Sequence, residues 1–175
     1  MKKLIWNNCP ITNQNSQISK SWSIGKENHT GVDVYGSNIY SICEGVVIQL
    51  GQASNKTYAL TIQYSSKQCV RYSNLSSVDV TSGQIIEMGQ LLGQCKKFVH
   101  FEYLTTSVDN IQVFTVRIGT QTYYKHDPQC IIDGSILLSG SGLTNVKIIN
   151  DLNDVQIVPI TEDIEKEFTG NRGDE

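Results

Sequence analysis

Histidine is scarce in this chain, with three residues in 175, so any site that needs an imidazole as ligand or proton carrier must draw on His29, His100 and His126. Cysteine is present but unorganised: Cys9, Cys43, Cys69, Cys95 and Cys130 are odd in number and nowhere form C-x-x-C. That spacing excludes a zinc ribbon or a redox pair. It leaves small, reduced, mostly buried side chains, as expected after synthesis in a reducing cytoplasm. A one-signed charge excess is also missing. The formal net charge is −3, and residues 160–175 alone hold six acidic and two basic side chains, a local −4 that leaves +1 for residues 1–159. A nearly neutral body gives no electrostatic footprint for nucleic acid, and the acidic end reads as a solvated tail. Met1-Lys-Lys-Leu-Ile-Trp6 starts like a secretory leader, but Asn7 and Asn8 stop the apolar run after three residues. Neither a leader's apolar core nor a spanning helix forms from such a run, so cytoplasmic synthesis without a signal peptide and no membrane insertion are expected.

Helical periodicity is lacking too: no stretch before the last fifteen residues sustains it over three turns. Short segments at 39–50, 57–64, 68–74, 85–88, 98–104 and 113–118 are instead rich in Val, Ile, Tyr and Thr and bounded by Gly, Ser, Asn or Asp. They predict strands, and the class all-β. Alternation in Tyr58-Ala-Leu60-Thr-Ile62-Gln-Tyr64 fits a sheet with one buried and one wetter face. With 39% hydrophobic and 18% charged residues, the composition is that of an ordinary soluble protein with one sizeable core.

Two of the three histidines stand in suggestive company. His29-Thr-Gly-Val-Asp33 places an imidazole and a carboxylate four residues apart, and Val99-His100-Phe101-Glu102 supplies a second imidazole from a separate strand. Such an N2O set suits a tetrahedral Zn²⁺ with one open position, where a hydrolytic water would sit. H-x-x-x-D alone arises readily by chance. His29 and Asp33 could equally form a plain hydrogen-bonded pair. His126, in Tyr123-Tyr-Lys-His126-Asp-Pro128, reads most simply as a surface turn residue, with folding back to the site as the alternative.

The order of these residues resembles the M23 peptidases, the LytM and lysostaphin group of peptidoglycan endopeptidases. Cys43-Glu-Gly45-Val-Val47, Tyr72-Ser-Asn74-Leu75 and Ser82-Gly83-Gln-Ile-Ile-Glu-Met-Gly89-Gln-Leu-Leu-Gly93 carry the likeness between the two histidine motifs. The resemblance covers roughly residues 11–132 and implies an antiparallel β-fold of the M23 type. It further implies zinc held by His29, Asp33 and His100, and peptidoglycan or cell-wall peptides as the partner. Departures are informative as well. The family's two further histidines, which handle protons and polarise the scissile carbonyl, fall at Asn74 and Phe98, neither of which can act as general acid or base. The Gly- and Ser-rich loop of the family shrinks to Gln-Cys-Lys-Lys-Phe-Val between Gly93 and His100.

Three function classes follow. An active zinc endopeptidase explains the ligands but fails at Asn74 and Phe98. A degenerate, non-catalytic M23-like module that binds peptidoglycan or acts as a scaffold explains both. A plain structural protein on an inherited fold gives no reason to keep the three ligands together. The second is preferred, in a phage tail or related wall-penetrating particle, a setting that the resemblance implies for M23-like domains without a leader. The chain divides into an arm at 1–10, the M23-like domain at 11–133 and a C-terminal β-rich extension with acidic tail at 134–175. Within the extension, 146–149 and 155–158 read as a hairpin and 162–168 as a short helical turn. Its exposed edge could recruit protein partners by strand addition, or the hairpin could complete the domain.

Overall fold

The computed structural model of the chain describes residues 11–14, 17–25, 28–107, 114–128 and 131. Their regular elements are all strands: β1 (Ile18–Lys20), β2 (Val32–Tyr35), β3 (Asn38–Tyr40), β4 (Gly45–Gln52), β5 (Tyr58–Ser65), β6 (Gln68–Leu75), β7 (Ser77–Val78), β8 (Ile85–Ile86), β9 (Leu91–Gln94), β10 (Phe98–Thr105), β11 (Thr115–Ile118) and β12 (Gln121–His126). The expected all-β, antiparallel class holds. A nine-stranded sheet runs β1-β2-β10-β6-β5-β4-β8, with β12 on β10 and β11 on β12, and a three-stranded sheet runs β3-β9-β7. No helix among the described residues is long and apolar enough to cross a membrane.

β10 is the spine of the large sheet. One edge pairs with β6 from His100 to Thr105, and the other is shared end to end by β2, opposite Phe98 to Phe101, and β12, opposite Tyr103 to Thr105. Because strand side chains alternate, Val99, Phe101 and Tyr103 turn to one face and Phe98, His100, Glu102 and Leu104 to the other. The first face joins Val32, Val34, Val70 and Tyr72 in the main core, which Ile39 and Leu92 of the small sheet close from above. A lesser cluster of Cys69, Leu104, Val116, Ile118 and Tyr123 lies on the second face under the β11–β12 hairpin. All eight residues of β10 are buried, which its even sequence of large and polar side chains hid.

Several expectations need correction. The single strand expected at 39–50 is two, β3 and β4, in different sheets. Ser41 Oγ donates to Cys43 O at 2.7 Å and closes a turn between them, while Ile42 N donates to Tyr72 Oη at 3.1 Å. The strand expected at 85–88 shortens to Ile85–Ile86; of that expected at 113–118, Val113 lies outside the described residues and the strand described is Thr115–Ile118. β1, β2, β7, β9 and β12 were not expected at all, and His126 is the last residue of β12 rather than a turn residue. Cys43, Cys69 and Cys95 are buried free thiols; Cys9 and Cys130 lie outside the described residues, as do the hairpin and helical turn expected in the extension. Burial pushes the Cys69 thiol up to about 12 and that of Cys95 to about 11, so neither is a thiolate at neutral pH.

Candidate metal centre

Register brings the ligand candidates together. Asp33 of β2 lies directly opposite His100 of β10, so both side chains rise from the same face. His29 precedes β2 and is fixed by two backbone bonds with Ser23, N–H to carbonyl in both directions at 2.8 and 3.0 Å. Its Nδ1 lies 2.8 Å from Ser21 O. A carbonyl only accepts, so Nδ1 carries the proton and the lone pair of Nε2 faces inward. There it meets another acceptor, Asp33 Oδ1 at 3.2 Å, without hydrogen-bond geometry, and among the described residues this buried nitrogen has no hydrogen-bond partner. Two facing acceptors with no donor between them repel unless a cation sits nearby.

His100 completes the set, with Nδ1 2.7 Å from Asp33 Oδ1 and Nε2 3.2 Å from Glu102 Oε1. One donor atom each from His29, Asp33 and His100 lie within 4.8 Å of one another, all buried, a group that could hold a metal ion. A tetrahedral ion with bonds of about 2.0–2.1 Å needs ligand atoms about 3.3 Å apart. The His29–Asp33 separation fits that edge as it stands; the His100–Asp33 contact would have to open slightly. Gly31 makes the approach possible, since a Cβ there would meet His100 Cε1 and Nε2 at 2.7 Å and Phe101 O at 2.6 Å.

Electrostatics fit a cation as well. Burial pushes the Asp33 carboxyl up, but the hydrogen bond from His100 and the charge beside it outweigh burial and hold the pKa down at about 2. For His100, burial favours the neutral ring, yet its hydrogen bonds to Asp33 and Glu102 and their charges prevail and raise the pKa above 6.5. Between two carboxylates both ring nitrogens act as donors, so without a metal the ring is an imidazolium. Glu102 stays ionised: burial pushes it up, while the charges of Arg71 and Lys125 and the bond from His100 pull it well down. Arg71 Nε donates to Glu102 Oε2 at 2.6 Å, and Lys125 Nζ donates to Glu102 Oε1 at 2.8 Å and to Thr30 Oγ1 at 3.1 Å.

Phe98 shares the ligands' face by parity and is 5% exposed. Asn74 has φ of 67°, a left-handed backbone that Asn tolerates better than most residues, and its Nδ2 donates to Phe98 O at 2.9 Å. His126 is not brought to the site. It stands opposite Tyr103, hence on the other face of the sheet, where Thr105 Oγ1 lies 2.6 Å from its Nε2. Its neighbour Lys125 points to the site instead. Sequence reasoning missed Lys125, Arg71 and Thr30 altogether. A strand reading of Gln121-Thr-Tyr-Tyr-Lys-His126 would have separated Lys125 from His126 by face.

Residues 27–109 match the profile of Peptidase family M23. Over that segment, just under half of its length, the chain is similar to the M23 peptidases. Solved structures agree on the fold: lysostaphin, at 16% identity and a TM-score of 0.54, covers 78% of this chain. The catalytic domain of the prophage-encoded M23 protein EnpA from Enterococcus faecalis, at 16% identity and a TM-score of 0.51, covers 69% of this chain and 95% of its own. LytU, at 19% and 0.51, covers 67% of this chain and 85% of its own. This chain spans 58% of the lysostaphin chain. No curated protein matches it by sequence. M23 is a zinc-dependent peptidase family, and β11 and β12 lie beyond the segment that its profile matches.

Proposed function

We propose that the domain is a zinc-binding M23 module that engages peptidoglycan peptides or scaffolds a larger assembly without efficient hydrolysis. One observation carries the reading. Asn74 donates its Nδ2–H to Phe98 O at 2.9 Å, tying together the two residues that stand where the family keeps its proton-handling histidines, while the donor trio beside them is intact. His29, Asp33 and His100 would hold the metal, which supplies a Lewis acid and draws the pKa of a bound water toward ~7. Delivering a proton to the leaving amine needs a further group. An amide engaged with a backbone carbonyl and an apolar ring offer none, and each lost acid or base costs about 10² to 10⁴ in rate.

The peptidoglycan assignment rests on the family. A place in a phage tail or related particle, with docking through residues 134–175, belongs to the same proposal and rests on the sequence resemblance. Metal analysis of the full-length protein beside His100→Ala and a His29→Ala, Asp33→Ala double variant tests the ligand set. About one zinc per wild-type chain and none in the variants is expected. Stoichiometric zinc in the double variant overturns the assignment. Co-sedimentation with purified peptidoglycan separates the binding module from a plain structural protein, which would stay in the supernatant.

A further inference from the structure

Beyond the ligands, the ion pairs converge on one carboxylate. Glu102 is two residues from His100 on the same strand and face, buried to 1%, and flanked on both sides by cations. Arg71 stands directly opposite it on β6 and places Nε and Nη2 on Oε2. Lys125, also buried to 1%, reaches Oε1 from the other side. It can do so because β2 and β12 share one edge of β10 end to end. The start of β2 and the end of β12 therefore meet beside Glu102, and Lys125 joins them by a second bond to Thr30, next to the ligand His29.

A buried carboxylate held by two cations can only accept. Its free lone pair on Oε1 faces His100 Nε2 at 3.2 Å. With Nε2–H committed to Glu102, the lone pair of a neutral His100 ring lies on Nδ1, the nitrogen that faces Asp33 and the centre. We propose that Glu102 and Lys125 are positioning residues for the metal: Lys125, from the hairpin beyond the family segment, fixes Glu102, and Glu102 fixes the orientation and tautomer of His100. The proposal rests on the ligand reading above. It makes the β11–β12 hairpin a part of the metal centre, although none of its residues is a ligand. Removing such an outer partner typically weakens metal affinity 10- to 100-fold.

The test measures zinc affinity by chelator competition, together with the ring ¹⁵N signals of His100, in wild type, Lys125→Met, Glu102→Gln and Val116→Ala. Glu102→Gln is isosteric but can donate as well as accept, so it leaves the tautomer unspecified and is the variant that keeps the test open should Lys125→Met fold poorly. Val116→Ala loosens the same hairpin through its apolar cluster without touching Glu102. The expected result is a loss of about 10- to 100-fold in zinc affinity for Glu102→Gln and Lys125→Met, with the His100 signal no longer fixed as Nε2–H. Val116→Ala lowers the melting temperature but leaves affinity within about twofold, because it removes no partner of a ligand. If wild type binds zinc and both site variants bind it equally well with unchanged ¹⁵N signals, the positioning role is wrong and the ligand reading stands. If wild type binds no zinc, the ligand reading falls and this inference falls with it.

Discussion

His100 sits between two carboxylates, and that position sets the sign of its pH response. Its pKa in the folded, metal-free protein is raised above 6.5, so the stability it contributes is fully present below that value and is lost as pH rises through the raised pKa. Asp33 works in the opposite direction: depressed from 3.8 to about 2, it stabilises above 3.8 and ceases to do so as pH falls through about 2. Metal binding needs the proton on His100 Nδ1 to leave. Two slopes of opposite sign are therefore expected as pH rises from 6.5 through the raised pKa of His100: the melting temperature of the metal-free protein declines, while the increment added by zinc grows. Calorimetry with and without zinc measures both, and a zinc increment that shrinks with rising pH would count against His100 as a ligand. At Gly31 the constraint is steric. Gly31→Ala sets a methyl 2.6 Å from the Phe101 carbonyl and 2.7 Å from the His100 ring. Since backbone cannot easily withdraw, a destabilisation of about 1–3 kcal/mol is expected, with weaker zinc binding, by denaturant melts and chelator competition.

At the scale of elements, β6 and β10 are joined beyond their ladder by the Asn74 amide. Asn74→Ala removes the bond to Phe98 O and puts an alanine at a φ of 67°. A cost of about 1–2 kcal/mol follows, read as a fall of about 2–8 °C in melting temperature, and Asn74→Gly, which relieves the backbone term, should lose less. Elements also show how much the sequence could reveal. β5, β6 and β10 were legible because they are long and rich in strand-forming residues. β2 carries Asp33 and is rich in strand formers, but its four residues, Val32–Tyr35, are too few for alternation to stand out along the chain, and it is its pairing with β10 that reveals the strand. That His29, Asp33 and His100 lie together was legible from family order. Lys125 was not, because nothing in a buried lysine's neighbourhood along the chain signals a carboxylate 23 residues away. Reading His126 as a turn residue hid the strand parity that sends Lys125 to the site and His126 to the far face.

For the whole molecule, the described centre uses residues from Ser21 to Lys125 and none later. A chain ending at residue 133 is accordingly expected to bind zinc as tightly as the full chain, while losing incorporation into an oligomer or particle if 134–175 is the docking segment. Loss of zinc together with unfolding in the truncated protein would assign that segment to the domain itself.

On the proposed reading, holding zinc and cleaving peptide are separable: His29, Asp33 and His100 form a group that could hold a metal, while Asn74 and Phe98 carry no mobile proton. The direct test is release of new amino termini from purified peptidoglycan by full-length protein loaded with one zinc per chain, beside the His100→Ala variant. The expected result is no release by wild type above that of the variant. Robust release by wild type that disappears in His100→Ala would contradict the separation and make the domain an active endopeptidase.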